Sequence, residues 1–193
     1  MGFRTVTNLS PRLATPAPYD AVARGLHWSM AVLITAAFAL GLTVDVFPKS
    51  WEYAVVETHK AIGIAILLLL VLRFGWRLMH RPPAPIESSA LLALAARAGH
   101  AALYVVMLVV PVIGLVYAIR RGQGFDFGLF TVPPFQAAEP RAITRPIKEW
   151  HEWAAYALIA LACLHALAAF WHHFIRKDDT LRRMLPDASR SAP

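Results

Sequence analysis

The sequence predicts an all-α protein, an integral membrane bundle of four helices. Composition is the first reason: 58% of the 193 residues are hydrophobic and only 16% are charged, which is too apolar for an ordinary soluble domain. The second reason is that four apolar segments are each long enough to cross about 30 Å of hydrocarbon. The third is that His151 and His165 both lie in the last segment, where a desolvated ionisable side chain indicates function.

The predicted helices span about residues 24–46, 59–80, 98–119 and 150–174. Residues 1–23 lack the apolar core of a cleavable signal peptide, so we expect the first helix to be retained. Three loops are predicted: a short outer loop at 47–58, an inner loop at 81–97 and a long outer loop at 120–149. One domain is predicted over 19–186, with disordered tails at 1–18 and 187–193.

Basic residues are unequally divided between the two sides of this bundle. If both termini lie on one side, that side holds twelve of the nineteen lysine and arginine residues and the other side holds seven. The positive-inside rule therefore predicts that both termini are cytoplasmic. Topology and lipid contact explain the net charge of +7, so membrane lipid is the expected partner and nucleic acid is not.

Four of the eight histidines fall at matching depths in this topology. His59 and His151 lie at the outer ends of helices two and four, whereas His27 and His165 lie toward the inner ends of helices one and four. The fourteen residues between His151 and His165 correspond to about 21 Å along a helix axis, on nearly the same face. The chain therefore offers two stacked histidine pairs, His59–His151 and His27–His165.

Two imidazoles at each site favour haem iron. Zinc and copper sites generally add a cysteine, a carboxylate or a third histidine, whereas six-coordinate haem needs only two axial imidazoles. No Cys-x-x-Cys-His motif is present, which excludes covalent attachment and leaves haem b. Gly41, Gly63 and Gly114 would let a flat macrocycle approach a backbone, although close helix packing explains membrane glycines equally well.

Short motifs follow one another along the four helices: Leu26-His27-Trp28, His59-Lys60-Ala61-Ile62-Gly63, Gly99-His100, Pro111-Val112-Ile113-Gly114, Lys148-Glu149-Trp150-His151-Glu152, Leu164-His165 and the stretch from Lys177 to Pro186. Their order and spacing resemble the prokaryotic cytochrome b561 family over about residues 19–186. The resemblance implies a multi-pass cytochrome of the bacterial inner membrane with two haem b groups. It also implies that the axial ligands of the haem irons are His27, His59, His151 and His165.

The resemblance further implies electron transfer with the ubiquinone pool. Some stand-alone members resemble superoxide oxidases, so the first hypothesis is that the chain oxidises periplasmic superoxide and reduces ubiquinone. Arg141, Arg145 and Lys148 are the candidates for steering the superoxide anion, and binding of lipid headgroups explains them equally well. The alternative is a cytochrome b subunit that relays electrons between a periplasmic redox partner or dehydrogenase and the quinone pool. A histidine-lined transporter is a third, non-redox class.

Four further residues are weaker candidates for contact with a cofactor. Arg73 and Arg77 lie one turn apart at the inner end of helix two, where they would bind haem propionates or snorkel to the lipid interface. Trp150 flanks His151 at the outer site. His172 is predicted to reach the cytoplasmic headgroup level, within reach of a propionate or a quinone.

Overall fold

The computed structural model describes residues 18–84, 86 and 89–185. The helices are α1 (Ala21–Thr43), α2 (Lys49–Met79), α3 (Ala90–Arg120) and α4 (Arg141–Trp171), and two short strands are β1 (Phe125–Asp126) and β2 (Thr131–Val132). Helical turns also occur at Val44–Val46, His172–Arg176 and Arg182–Met184. Of the predicted tails, residues 1–17 and 187–193 lie outside the described residues.

All four helices are long and apolar enough to cross a membrane, which confirms the predicted helical membrane fold. The end that carries the α1–α2 and α3–α4 connections is called the outer end below, and the opposite end is the inner end. The two antiparallel strands form a small hairpin in the α3–α4 connection, where Phe125 pairs with Val132 and Asp126 pairs with Thr131.

All four helices begin earlier than the sequence predicted, α1 by only three residues and the other three by eight to ten. The starts expected near 59, 98 and 150 lie at Lys49, Ala90 and Arg141, so much of each predicted loop is helical. The prediction measured the apolar stretch that crosses the bilayer, whereas a helix continues into the polar interface as long as its backbone bonds are satisfied. Pro48 and Pro140 precede α2 and α4, where a residue without an N–H group suits the start of a helix.

The helices pack mainly as successive neighbours, α1 on α2, α2 on α3 and α3 on α4, while α1 and α4 meet less. Met30, Ile66 and Leu70 form the buried cluster at the centre of the bundle. Outward-facing aliphatic side chains such as Leu68 and Val71 remain 62% and 69% exposed. Apolar side chains on the outside of a bundle are expected where lipid tails replace water around it.

The C-terminal segment closes the inner end of the bundle. The Trp28 indole N–H donates to the Met184 carbonyl at 2.8 Å. Arg183 is only 7% exposed, donates to the Ala84 carbonyl at 3.0 Å and lies over the ring of Tyr19. These contacts tie the two ends of the described chain to the connection between α2 and α3.

Candidate haem sites

The outer histidine pair is formed by α2 and α4. The ring centroids of His59 and His151 lie 6.0 Å apart with the ring planes nearly perpendicular, at 87°. Both side chains are half-buried inside the bundle. The two helices therefore present two imidazoles to one point between them.

Backbone carbonyls hold both outer rings. The Nδ1 atom of His59 lies 2.9 Å from the Ala37 oxygen, and the Nδ1 atom of His151 lies 2.9 Å from the Val110 oxygen. A carbonyl can only accept, so each Nδ1 carries the proton and donates it. The Nε2 lone pair is then left for a metal, which is the usual arrangement of a ligating histidine.

A glycine stands four residues after each of these carbonyl groups. A Cβ atom on Gly41 would lie 3.2 Å from the Cε1 atom of His59, and one on Gly114 would lie 2.9 Å from the Cε1 atom of His151. These two glycines therefore make room for the imidazole rings themselves. Gly63, by contrast, has no atom within 4 Å of such a Cβ and lines the open cavity.

The inner pair joins α1 and α4. The ring centroids of His27 and His165 are 6.2 Å apart, at an interplanar angle of 75°. Within the part of the chain that the structure describes, neither ring has a hydrogen bond like those of the outer pair. His100 on α3 lies closer to His165, with a centroid distance of 5.2 Å, and its Nδ1 donates to the Ala96 carbonyl at 2.7 Å.

The spacing of both pairs fits a six-coordinate haem iron. Two metal–imidazole bonds of about 2 Å, plus the half-width of each ring, separate the centroids by roughly 6 Å. No cluster of three or more His, Cys, Asp or Glu side chains suited to a metal is found among the described residues. Paired imidazoles without further protein ligands match bis-histidine haem better than zinc or copper.

A cavity of about 390 Å³ opens beside the outer pair, within the usual size of ligand sites. His59, His151 and Gly63 line it, together with Tyr117 and Tyr156. Most of the lining is apolar, as a macrocycle requires.

Arg73 and Arg77 meet at one side chain on α3. The Arg73 Nε donates to the Tyr104 hydroxyl at 3.1 Å, and both guanidinium groups lie about 6 Å from the centre of the Tyr104 ring. His100 is one helical turn from Tyr104. The structure thus gathers two cations, a phenol and an imidazole near His165, while a propionate contact for the arginines stays a prediction.

The other weak candidates have different surroundings. The Nδ1 atom of His172 lies 2.6 Å from a carboxylate oxygen of Asp178, at the inner end. Partial burial alone would raise the pKa of Asp178, but hydrogen bonds from Thr180 and His172 outweigh it and hold that pKa below its usual value. Trp150 is 69% exposed on the outside of α4, so the structure does not bring it to the outer pair.

Two of the three steering candidates are paired with carboxylates. Arg145 donates to Glu149 at 2.8 Å and Lys148 donates to Glu152 at 2.6 Å, both along one face of α4. Arg141 is exposed and has no ion pair within the described part of the chain. All three lie on the first turns of α4 and not in a loop, because that helix begins nine residues earlier than the predicted residue 150.

The sequence reasoning missed the role of Glu57 and Lys60. Their side chains form a 2.6 Å ion pair that is only 14% and 10% exposed, and Lys60 lines the outer cavity beside His59. Glu57 was assigned to a loop, and Lys60 was counted as a charge and named as part of a family motif without a role of its own. Opposite charges three residues apart that flank a predicted ligand were the available signal.

Comparison with known proteins agrees with the predicted family. The chain matches the family model for prokaryotic cytochrome b561 over residues 18–187. It is 37% identical over 179 residues to cytochrome b561 homolog 2 of Escherichia coli strain K12, covering 91% of this chain and 95% of that protein. It is 32% identical over 170 residues to the probable superoxide oxidase CybB of Yersinia pestis, covering 87% of this chain and 96% of that protein.

A third relative, cytochrome b561 homolog 1 of Escherichia coli strain K12, is 34% identical over 172 residues. These matches extend over nearly all of the four-helix bundle that carries the histidine pairs. A protein of this family transfers electrons, binds haem b and crosses the bacterial inner membrane several times. The chain belongs to the prokaryotic cytochrome b561 family.

Proposed function

We propose that this protein is a dihaem cytochrome that oxidises superoxide at its outer end and reduces ubiquinone. The observation that carries the proposal is the pair of two-histidine sites, His59–His151 and His27–His165, at the two ends of one bundle. The likeness to a protein named as a probable superoxide oxidase supports the choice of electron donor.

His59 with His151, and His27 with His165, would hold the irons of the two haems. Haem b bound between each pair supplies one-electron redox chemistry. The Ala37 and Val110 carbonyls orient the outer imidazoles, and the apolar helix faces exclude water. Because two imidazoles would hold each iron, a substrate would be expected to bind beside the cofactor and not on the metal.

The overall reaction balances with two electrons. Two superoxide anions each give up one electron and leave as two molecules of oxygen. One ubiquinone takes up both electrons and two protons and becomes ubiquinol. Arg73 and Tyr104 provide hydrogen-bond donors near the inner pair, and they would serve haem propionates or the quinone head group. His100 would offer its Nε2 atom there as an acceptor, because its Nδ1 proton is donated to the Ala96 carbonyl. His172 would offer its Nε2 atom at the inner end, because its Nδ1 atom is hydrogen-bonded to Asp178.

The outer end would face the periplasm. Twelve of nineteen basic residues then lie on the cytoplasmic side with both termini, as the positive-inside rule requires. Arg141 is the best remaining steering residue, because the charges of Arg145 and Lys148 are largely offset by their partners. Steering in this protein is therefore expected to be modest.

The second candidate function is that of a cytochrome b subunit fed by a periplasmic redox partner. Leu129 and Phe130, at the tip of the outer hairpin, are 96% and 60% exposed and would suit docking of a protein. Copurification of a redox protein in fixed stoichiometry would favour this function.

The deciding experiment is stopped-flow absorbance of the purified, oxidised protein after two haems per chain have been confirmed. Mixing with superoxide should reduce the haem within the dead time or shortly after it, and adding ubiquinone should reoxidise it. Superoxide dismutase in the same mixture is the control and should abolish reduction. If superoxide does not reduce the protein, the partner-fed function is the better one.

A further inference from the structure

Two Lys–Glu pairs on α2 have the same spacing and very different surroundings. Lys49 and Glu52 are joined at 2.7 Å with side chains that are 87% and 40% exposed. Glu57 and Lys60 are joined at 2.6 Å with side chains that are only 14% and 10% exposed. Burying an ion pair costs desolvation, so the second pair needs further partners that offset this cost.

Those partners are backbone groups of the outer hairpin. The Lys60 ammonium donates to the Gly124 carbonyl at 2.6 Å. The other oxygen of Glu57 accepts the backbone N–H of Asp126 at 2.9 Å, and the Tyr53 hydroxyl donates to the Asp126 carboxylate at 3.2 Å. The pair therefore ties α2 to the hairpin through both of its charged groups.

Phe125 lies between these two anchor points. Its side chain is 6% exposed, and the Lys60 ammonium lies 5.1 Å from the centre of its ring. Phe125 lines the cavity beside the outer histidines and also an outer surface groove of about 630 Å³. Val56 and Gln123 are likewise shared by the cavity and the groove, so these three side chains form the wall between them.

We infer that Glu57 and Lys60 are positioning residues that hold Phe125 as a barrier between the outer groove and the cavity of the outer histidine pair. The barrier restricts this end of the protein to electron donors of a few atoms and excludes bulky ones. The inference deepens the proposed function, because it rests on electrons entering at the outer pair. It does not require that the small donor be superoxide.

The first test measures the hairpin directly. We would compare hydrogen–deuterium exchange of the backbone amides of residues 124–132 in the detergent-solubilised holoprotein and in Glu57→Gln and Lys60→Met variants. The Asp126 amide and its neighbours should exchange at least tenfold faster in both variants. A Lys49→Met/Glu52→Gln variant removes the matched exposed pair and should leave exchange unchanged. Unchanged exchange in the Glu57 and Lys60 variants would overturn the anchoring role.

The second test separates donors by size alone. Reduced methyl viologen and the same viologen coupled to dextran would each be mixed with the oxidised holoprotein, and the ratio of their reduction rates would be measured. The ratio of bulky to small donor should rise at least tenfold in the Glu57 and Lys60 variants and stay at the parent value in the Lys49/Glu52 control. Equal ratios in the parent protein, the Glu57 and Lys60 variants and the control would overturn the inference that Phe125 acts as a barrier.

A Phe125→Ala variant keeps the test decisive if removal of a buried charge prevents folding. It removes the barrier while leaving the ion pair and its backbone bonds, so the bulky donor should gain access. Slow access of the bulky donor in a folded Phe125→Ala protein would overturn the inference. Failure of superoxide to act as donor, with the size selectivity intact, would overturn the proposed function alone.

Discussion

The two histidine pairs use the same ligand type and differ in what supports it. Each ring of the outer pair donates to a backbone carbonyl and touches a glycine, whereas the inner pair has neither support among the described residues. The inner pair instead has His100 at 5.2 Å from His165 and two arginines nearby. The outer site is therefore the more rigid one, and the inner site is the more cationic one.

This difference suggests a direction for electrons. A hydrogen bond from Nδ1 to a carbonyl makes the imidazole a stronger donor and favours oxidised iron. Nearby positive charge favours reduced iron, and no acidic partner of Arg73 or Arg77 is found within the described chain. Both effects would place the outer potential below the inner one, so that electrons run from the outer end inward.

The largest expected effect is loss of one haem. If each pair holds one haem, as proposed, His59→Ala or His151→Ala should remove the outer haem only, and His27→Ala or His165→Ala the inner haem only, because the site loses one of its two protein ligands. Haem per chain, measured by pyridine haemochrome assay against protein mass, should fall from two to one. His100→Ala should keep both, since a 5.2 Å centroid distance is too short to enclose an iron; loss of haem there would make His100 a ligand.

The next effect breaks the rigidity of the outer site. Gly114→Ala would place a Cβ 2.9 Å from the His151 ring, so the ring must move away from the Val110 carbonyl. Overpacking of this kind costs about 1–3 kcal/mol, and the thermal unfolding midpoint of the holoprotein should fall accordingly. Gly75→Ala, on α2 with open space around it, is the control. Equal changes of the unfolding midpoint in the two variants would contradict the inference that Gly114 leaves space for the His151 ring.

A smaller effect concerns the potential difference. Arg73→Gln with Arg77→Gln should lower the inner potential by roughly 50 mV and narrow the gap between the two haems, because two nearby cations are lost. A potentiometric titration that resolves both haems measures this. Arg97→Gln removes an exposed cation from α3 and should change little. A shift of the outer potential alone would reverse our assignment of the cationic site.

Steering of superoxide should respond more weakly. Arg141→Gln is expected to slow haem reduction by superoxide a few-fold and to flatten its dependence on ionic strength, since screening acts on exposed charges. Replacing both members of the Arg145–Glu149 pair or of the Lys148–Glu152 pair with Gln should do less, because the two charges of each pair largely cancel. Stopped-flow rates of haem reduction at several salt concentrations show which substitution slows the reaction most. Identical rates for all variants would exclude steering.

The smallest effect lies at the inner end and depends on pH. Asp20 caps α1 by accepting the Ala23 N–H at 2.8 Å and also accepts the Trp76 indole N–H. The bond from Ala23 is the main reason that the pKa of Asp20 lies below its usual 3.8. Its contribution is therefore complete above the unfolded pKa and is lost as pH falls through the lower folded value.

Replacing Asp20 with Ala should cost about 1 kcal/mol of stability at neutral pH, the usual value of an N-cap. The difference from the parent protein should vanish below the folded pKa. Thermal unfolding at a series of pH values measures both. A difference that persists in acid would assign the effect to packing of the side chain.

Much of the fold could be predicted from the sequence, because the length of an apolar segment and the depth of a histidine within it are properties of single helices. The membrane helices were recognisable from runs of apolar residues, and His59 could be matched with His151 by depth alone. The helix starts at Lys49 and Arg141 were missed because hydropathy marks the bilayer and not the end of backbone hydrogen bonding. The hairpin at residues 125–132 was missed because two-residue strands carry no periodic pattern.

By itself, the sequence determined that this chain crosses a membrane in four helices and carries imidazoles at two depths, since both depend on spacing along one chain. Only the tertiary structure decided which groups surround those imidazoles. The carbonyl of Ala37, the space left by Gly114 and the anchoring of the hairpin by Lys60 each join residues distant in sequence. Such contacts depend on how helices are rotated and placed against one another, and no local pattern specifies that geometry.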